Sequence, residues 1–142
     1  SIVGDGPELS RLEQLSSDLG TSQNIEFMGQ RSDVSAILGK SKLFVLTSRS
    51  ESVSIAMLEA MAMKTVPIVT QVGDLSDFVD DGVSGYMIPV GDSSALAEKI
   101  KKLLGEPAHL ESLAIAGSDE VLERCTRQQI ATYWVRLLNE IR

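Results

Sequence analysis

Short apolar runs alternate along the chain with stretches of helical period. Residues 1–4 bring Ile2 and Val3 into the turn Gly4-Asp5-Gly6-Pro7. Leu9, Leu12, Leu15 and Leu19 then fall on one face of a helix,. Pro7 suits its first position, Glu8 its first turn and Gly20 its close. Residues 25–28 predict a short strand ending at Gly29, and Ser32 predicts the cap of a helix running to about Leu38. Residues 43–46 have the composition of a buried strand,. An apolar helix follows Glu51, then a strand over 66–69, a short helix over 73–79 and a turn at Asp81-Gly82. A strand over 85–89 leads to Gly91-Asp92, which caps a helix through Leu104. Two helices, expected to pack against the rest over 107–142, complete the chain. The last opens on Thr126-Arg127-Gln128-Gln129, with capping-box spacing,.

Strands that are apolar throughout, each followed by a helix, imply an α/β fold. The expectation is a Rossmann-like parallel sheet with helices on both faces. In such sheets ligands bind where strand C-terminal ends meet helix N-termini. The polar, glycine-bearing turns fall at those ends: Gly4-Asp5-Gly6, Gly29-Gln30, residues 48–52 and residues 70–74.

Composition narrows the possibilities. The 142 residues suit one domain, with hydrophobic content of 43% and charged content of 23%,. Thirteen basic against twenty acidic residues argue against nucleic acid, whose phosphates need a basic footprint,. No apolar run approaches the length of a spanning helix, and the start lacks the pattern of a signal peptide,. Cys125 is the only cysteine, which makes a reducing, cytoplasmic setting the default,. His109 is the only histidine, so neither a zinc site nor a Ser-His-Asp triad is expected, and no metal is assigned,.

The run Ile55-Ala56-Met57-Leu58-Glu59-Ala60-Met61-Ala62-Met63 is apolar with one charge in its middle. A helix apolar all round is expected to be buried, and a lone carboxylate inside it needs a partner. That partner is a ligand hydroxyl, or Arg49 or Lys64 in a structural ion pair. Met57, Met61 and Met63 are assigned to packing. Gly4-Asp5-Gly6, with Glu26 about 20 residues on, invites a dinucleotide-binding reading. However, Leu9 stands where the third glycine belongs and Glu26 falls inside its strand.

Glu51 and Glu59, with Ser48 before them and Leu58-Glu59-Ala60-Met61-Ala62 around the second, resemble the E-x(7)-E signature of retaining glycosyltransferases of the GT-B fold, in the family-4 group. Other segments extend the likeness: Ile2 to Pro7, Phe27-Met28-Gly29, Pro67-Ile68-Val69-Thr70 through Gly73, Val79-Asp80-Asp81-Gly82-Val83-Ser84-Gly85-Tyr86, and Pro89 to Asp92. The resemblance implies the C-terminal, donor-binding half of such an enzyme, lacking its first strand-helix unit, in a parent sheet of order 3-2-1-4-5-6. It implies a metal-independent transfer from a nucleotide-sugar, such as a UDP- or GDP-sugar, needing no cofactor beyond that donor. A glycan or lipid acceptor would be bound through an N-terminal domain, with peripheral association at the inner face of a membrane. It implies that Glu51 acts beside the sugar and that Glu59 holds the ribose. The amides near Ser54, Ile55 and Ala56 would take the diphosphate, and Gly4, Gly6, Gly29, Gln30 and Arg31 would complete the donor contacts. On its own the chain is expected to bind donor weakly and transfer nothing. The alternatives are an NAD(P)-binding domain of an oxidoreductase and a non-catalytic nucleotide-binding module. The sequence departs from the family at Ser52 and Val53, in what the resemblance makes the donor-sugar pocket, which leaves the sugar unassigned, and also at Lys64, Asp74 and Asp77.

Overall fold

The computed structural model describes residues 1–140, in two compact units, Ser1–Ala36 and Ile37–Arg142. In the first unit, helix α1 spans Leu9–Asp18 with Glu8 at its N-cap, two residues later than Pro7 predicts. The Gly4 to Pro7 turn lies outside it. Gly20, at φ +65°, ends the helix in the left-handed conformation expected of a closing glycine,. The two strands expected over 1–4 and 25–28 reduce to one parallel bridge, Ile2 to Phe27. Three backbone bonds hold it: Ile2 N–H to the Glu26 carbonyl at 2.8 Å, Met28 N–H to Ile2 at 2.9 Å, and Gly4 N–H to Gly29 at 2.8 Å. Ser32 does not start the next helix. Helix α2 is Val34–Leu38, one turn long, and the boundary between units falls within it.

The second unit is built on three parallel strands in the order β1 (Leu43–Leu46), β2 (Val66–Thr70), β3 (Tyr86–Ile88). The register pairs Leu43 with Val66 and Ile68 with Tyr86. Strand β2 is central, and every residue in it is buried. Adjacent side chains on β2 point to opposite faces, and each face has its own core. On one, Val69 packs with Met57, Met61, Leu75, Val79 and Val121. On the other, Val66 and Ile68 pack with Tyr86, Ile88, Leu103 and Leu113. Met57 and Met61 come from helix α3 (Ile55–Ala62), Leu103 from α4 (Ser93–Gly105), and Val121 and Leu113 from α5 (Pro107–Arg124), so helices cover both faces. Gly117 lets α5 lie close to α3: a Cβ there would meet the Ser84 carbonyl at 2.9 Å and Met61 Cε at 3.4 Å. The observed strand order matches the 4-5-6 run of the expected sheet.

Other boundaries move slightly. The helix expected over 73–79 is a 3-10 turn at Leu75–Asp77. Asp92 caps α4 by accepting from the Ala95 N–H at 2.9 Å. Helix α6 is Arg127–Glu140, and Thr126 Oγ1 accepts from the Gln129 N–H at 3.3 Å. Ile141 and Arg142, at the end of the predicted helical region, lie outside the described residues.

Lys64, just after α3, has φ +59°. Holding an L-residue in the left-handed region costs about 1–2 kcal/mol, partly offset in glycine by about 0.5–1 kcal/mol of chain entropy. Lys64→Gly is therefore expected to stabilise the unit by about 0.5–1 kcal/mol. Urea unfolding measures this; unchanged stability would mean the position carries no strain.

Candidate functional site

Helix α3 forms because Ser54, extended at φ −86° and ψ 107°, turns the chain and caps it. Its hydroxyl accepts from the Met57 N–H at 3.3 Å, and its carbonyl from the Leu58 N–H at 3.1 Å. The Ile55 and Ala56 amides have no acceptor within the helix and form the open positive end of its dipole. The helix therefore starts where the sequence predicted it, at Ser54.

The expected burial of Glu59 is wrong. Met57, Ala60 and Met61 face the core, and Ile55, Ala56 and Glu59 face outward. Ile55 is 71% exposed. The helix is covered on only one side, by the β-sheet and α5, so an all-apolar sequence does not force burial all round. Among the described residues Glu59 forms no ion pair with Arg49 or Lys64. A carboxylate set among exposed apolar side chains is open to a ligand without any desolvation cost in the unliganded chain.

Glu51 is half-buried in the loop between β1 and α3, and its Oε1 accepts from the Ser48 hydroxyl at 2.7 Å. The Ser48 carbonyl accepts from Thr70 Oγ1 at 2.6 Å. Sequence reasoning missed this support, although the turn over 70–74 was already marked as polar and glycine-bearing. A neighbouring cleft of about 290 Å³ lies at the strand C-terminal ends, lined by Thr47, Arg49, Thr70, Ile88, Pro89 and the start of α4. Neither glutamate lines it.

In the first unit, Gly4 and Gly29 both take positive φ, +128° and +62°, and are joined by the Gly4 N–H to Gly29 carbonyl bond. The Gly6 N–H is taken by the Asp5 side chain at 2.8 Å. Arg31 binds Asp33 through Nε and Nη2, both at 2.8 Å, and this carboxylate holds its pKa above the usual value. Arg31 is thus engaged in an exposed ion pair with Asp33.

A parallel α/β sheet with helices on both faces and a capped helix at its strand exits defines a Rossmann-like unit,. The model of the family of glycosyl transferases group 1 matches residues 1–120, and the chain belongs to that family. N-acetyl-alpha-D-glucosaminyl L-malate synthase of Bacillus anthracis is 29% identical over 140 residues, 99% of this chain and 37% of that protein. The sucrose-phosphate synthase structure from Thermosynechococcus elongatus superposes with a TM-score of 0.88 at 26% identity, over 98% of this chain and 37% of that one. Anabaena HepE, solved in complex with UDP, gives a TM-score of 0.92 at 23% identity, over 97% of this chain and 40% of that one. The chain therefore spans about two-fifths of the length of these proteins. The fold is that of the GT-B glycosyltransferases.

Proposed function

We propose that this chain is the donor-binding part of a retaining glycosyltransferase that moves a sugar from a nucleotide-sugar to a glycan or lipid acceptor. The observation that carries the reading is the construction around α3: a helix N-terminus with two open amides, one carboxylate in the loop before it and another on its open face. The Ile55 and Ala56 amides receive the diphosphate, as helix N-termini commonly do. Glu59, one turn further in, accepts from the ribose hydroxyls. Glu51 lies beside the sugar ring, where its charge stabilises the oxocarbenium-like centre that develops as the bond to the nucleotide breaks. No metal or separate cofactor enters this scheme. Gly4, Gly6, Gly29, Gln30 and Arg31 remain candidate nucleotide contacts on their own unit.

Family membership supports transfer chemistry, and the oxidoreductase alternative has nothing comparable behind it. The acceptor, and any association with a membrane surface, belong to the whole enzyme; no helix among the described residues is long and apolar enough to cross a membrane. By this reading the chain alone transfers nothing, because an acceptor site lies elsewhere in the enzyme.

Thermal-shift titration of the chain with UDP-sugars and GDP-sugars, against NAD, tests the donor. Stabilisation by a nucleotide-sugar and not by NAD is the expected result; stabilisation by NAD alone would overturn the reading. Glu59→Gln is expected to weaken nucleotide binding by about 1.5–3 kcal/mol, the range for a hydrogen bond to a charged group. Because Glu59 is exposed, the same change should alter stability by less than about 0.5 kcal/mol. Calorimetry and a melt on one sample check both halves, and unaltered nucleotide affinity would remove Glu59 from the site.

A further inference from the structure

We propose that Thr70 and Gly73, at the exit of β2, are positioning residues for the Glu51 carboxylate; this rests on the role given to Glu51 above. The Glu51 loop, between β1 and α3, contains no helix or strand of its own. Its geometry is therefore set by what it leans on. Thr70 is 1% exposed, and its hydroxyl donates to the Ser48 carbonyl at 2.6 Å, with the Leu46 carbonyl at 3.5 Å. That bond fixes the backbone of the residue whose own side chain donates to Glu51 Oε1 at 2.7 Å. The order is buried strand, Thr70, Ser48, carboxylate.

A second brace acts on the backbone of Glu51 itself. Gly73 has φ +55°, and a Cβ built on it would lie 1.8 Å from the Glu51 carbonyl oxygen and 2.7 Å from its carbonyl carbon. The two loops touch main chain to main chain, and only glycine allows it. The Asp74 N–H then donates to the Ser52 carbonyl at 3.2 Å. Residues 70–74 thus hold residues 48–52 at Ser48, Glu51 and Ser52. A carboxylate that must face a developing charge gains nothing from binding energy if it swings, and a displacement of about 1 Å can cost about 100-fold in rate. Fixing its loop from the central strand of the sheet gives it that precision.

The test uses the complete enzyme with Thr70→Val, which keeps the shape and removes the hydroxyl, and Thr70→Ser, which restores the hydroxyl. Thr70→Val is expected to lower kcat about tenfold or more with donor KM within about twofold, and Thr70→Ser to recover most of the loss. In a Glu51→Ala background Thr70→Val should add nothing. Gly73→Ala should lower kcat further than Thr70→Val. Should Thr70→Val or Gly73→Ala fail to fold, Ser48→Ala carries the test: it leaves the buried strand untouched and removes only the hydroxyl bound to the carboxylate, with the same kcat-specific loss expected. Full turnover in Thr70→Val or Ser48→Ala while Glu51→Ala is inactive would overturn positioning and leave the donor-site reading standing. A Thr70→Val loss that adds in full to that of Glu51→Ala would make Thr70 a structural residue only, and would also overturn it. Full turnover in Glu51→Ala would overturn both.

Discussion

Replacing Glu51 by alanine in the complete enzyme is expected to lower turnover about 100-fold or more, the scale on which a single preorganised electrostatic contact acts. Nucleotide affinity should change far less. The asymmetry follows from where the two carboxylates stand. Glu51 is half-buried, fixed by Ser48 at 2.7 Å, in the loop before the helix proposed to receive the diphosphate. An interaction made most strongly as the sugar acquires positive charge acts on kcat, whereas one made equally with bound donor acts on KM. Glu59, on the outer face of α3, should show the opposite bias. The comparison needs steady-state kinetics on both variants and calorimetric nucleotide binding. Equal losses of turnover and affinity in both would show that the two carboxylates do not divide the work.

Met57→Ala is expected to destabilise the second unit by about 2–5 kcal/mol, the range for truncating a large buried side chain. Met57 is 0% exposed and packs with Val69, Leu75, Val79 and Val121 between α3 and the sheet. Ile55→Ala, two residues earlier and 71% exposed, should change stability by less than about 0.5 kcal/mol,. The two substitutions remove similar apolar side chains from one helix, so sequence composition alone predicts similar costs. Denaturant unfolding followed by circular dichroism separates them. Comparable destabilisation by both would mean that α3 does not present the faces described.

Much of the second unit was legible because each local signal agreed with its surroundings. The β1 run is apolar and short, Ser54 and Asp92 are good N-caps, and Thr126 stands three residues before Gln129. The first unit was less legible. Apolar residues at 1–4 and 25–28 predicted two strands, yet a strand needs a ladder, and here one bridge is made. Pro7 satisfied the chemistry of a first helical position, but the chain is still turning from Gly6, whose carbonyl accepts from the Leu9 N–H at 3.1 Å.

The candidate site divides along the same line. Ser54 and Glu59 stood out because a charged residue inside an apolar run, and a cap before it, are visible in one dimension, whereas Glu51, in a polar loop, was singled out only by resemblance to the family signature. The reason given for Glu59 was mistaken. Hydrophobic pattern reports which residues can be buried, but only the neighbours supplied by the fold decide which are; α3 has neighbours on one side. Thr70 and Gly73 lie about 20 residues from the loop they brace. No local spacing connects them, because the contact exists only once parallel strands β1 and β2 lie side by side.

The sequence by itself determined the class of fold, the start of α3 at Ser54, and the lone carboxylate Glu59 within an apolar run, whereas Glu51 was singled out only by resemblance to the family signature. The first three follow from local propensity, capping and apolar runs, which act over a few residues. The tertiary structure alone decided that Glu59 is open, that Arg31 is paired with Asp33, and that the Glu51 loop is held by the end of β2. Those are questions of burial, pairing and close approach, and each depends on which surfaces folding brings together.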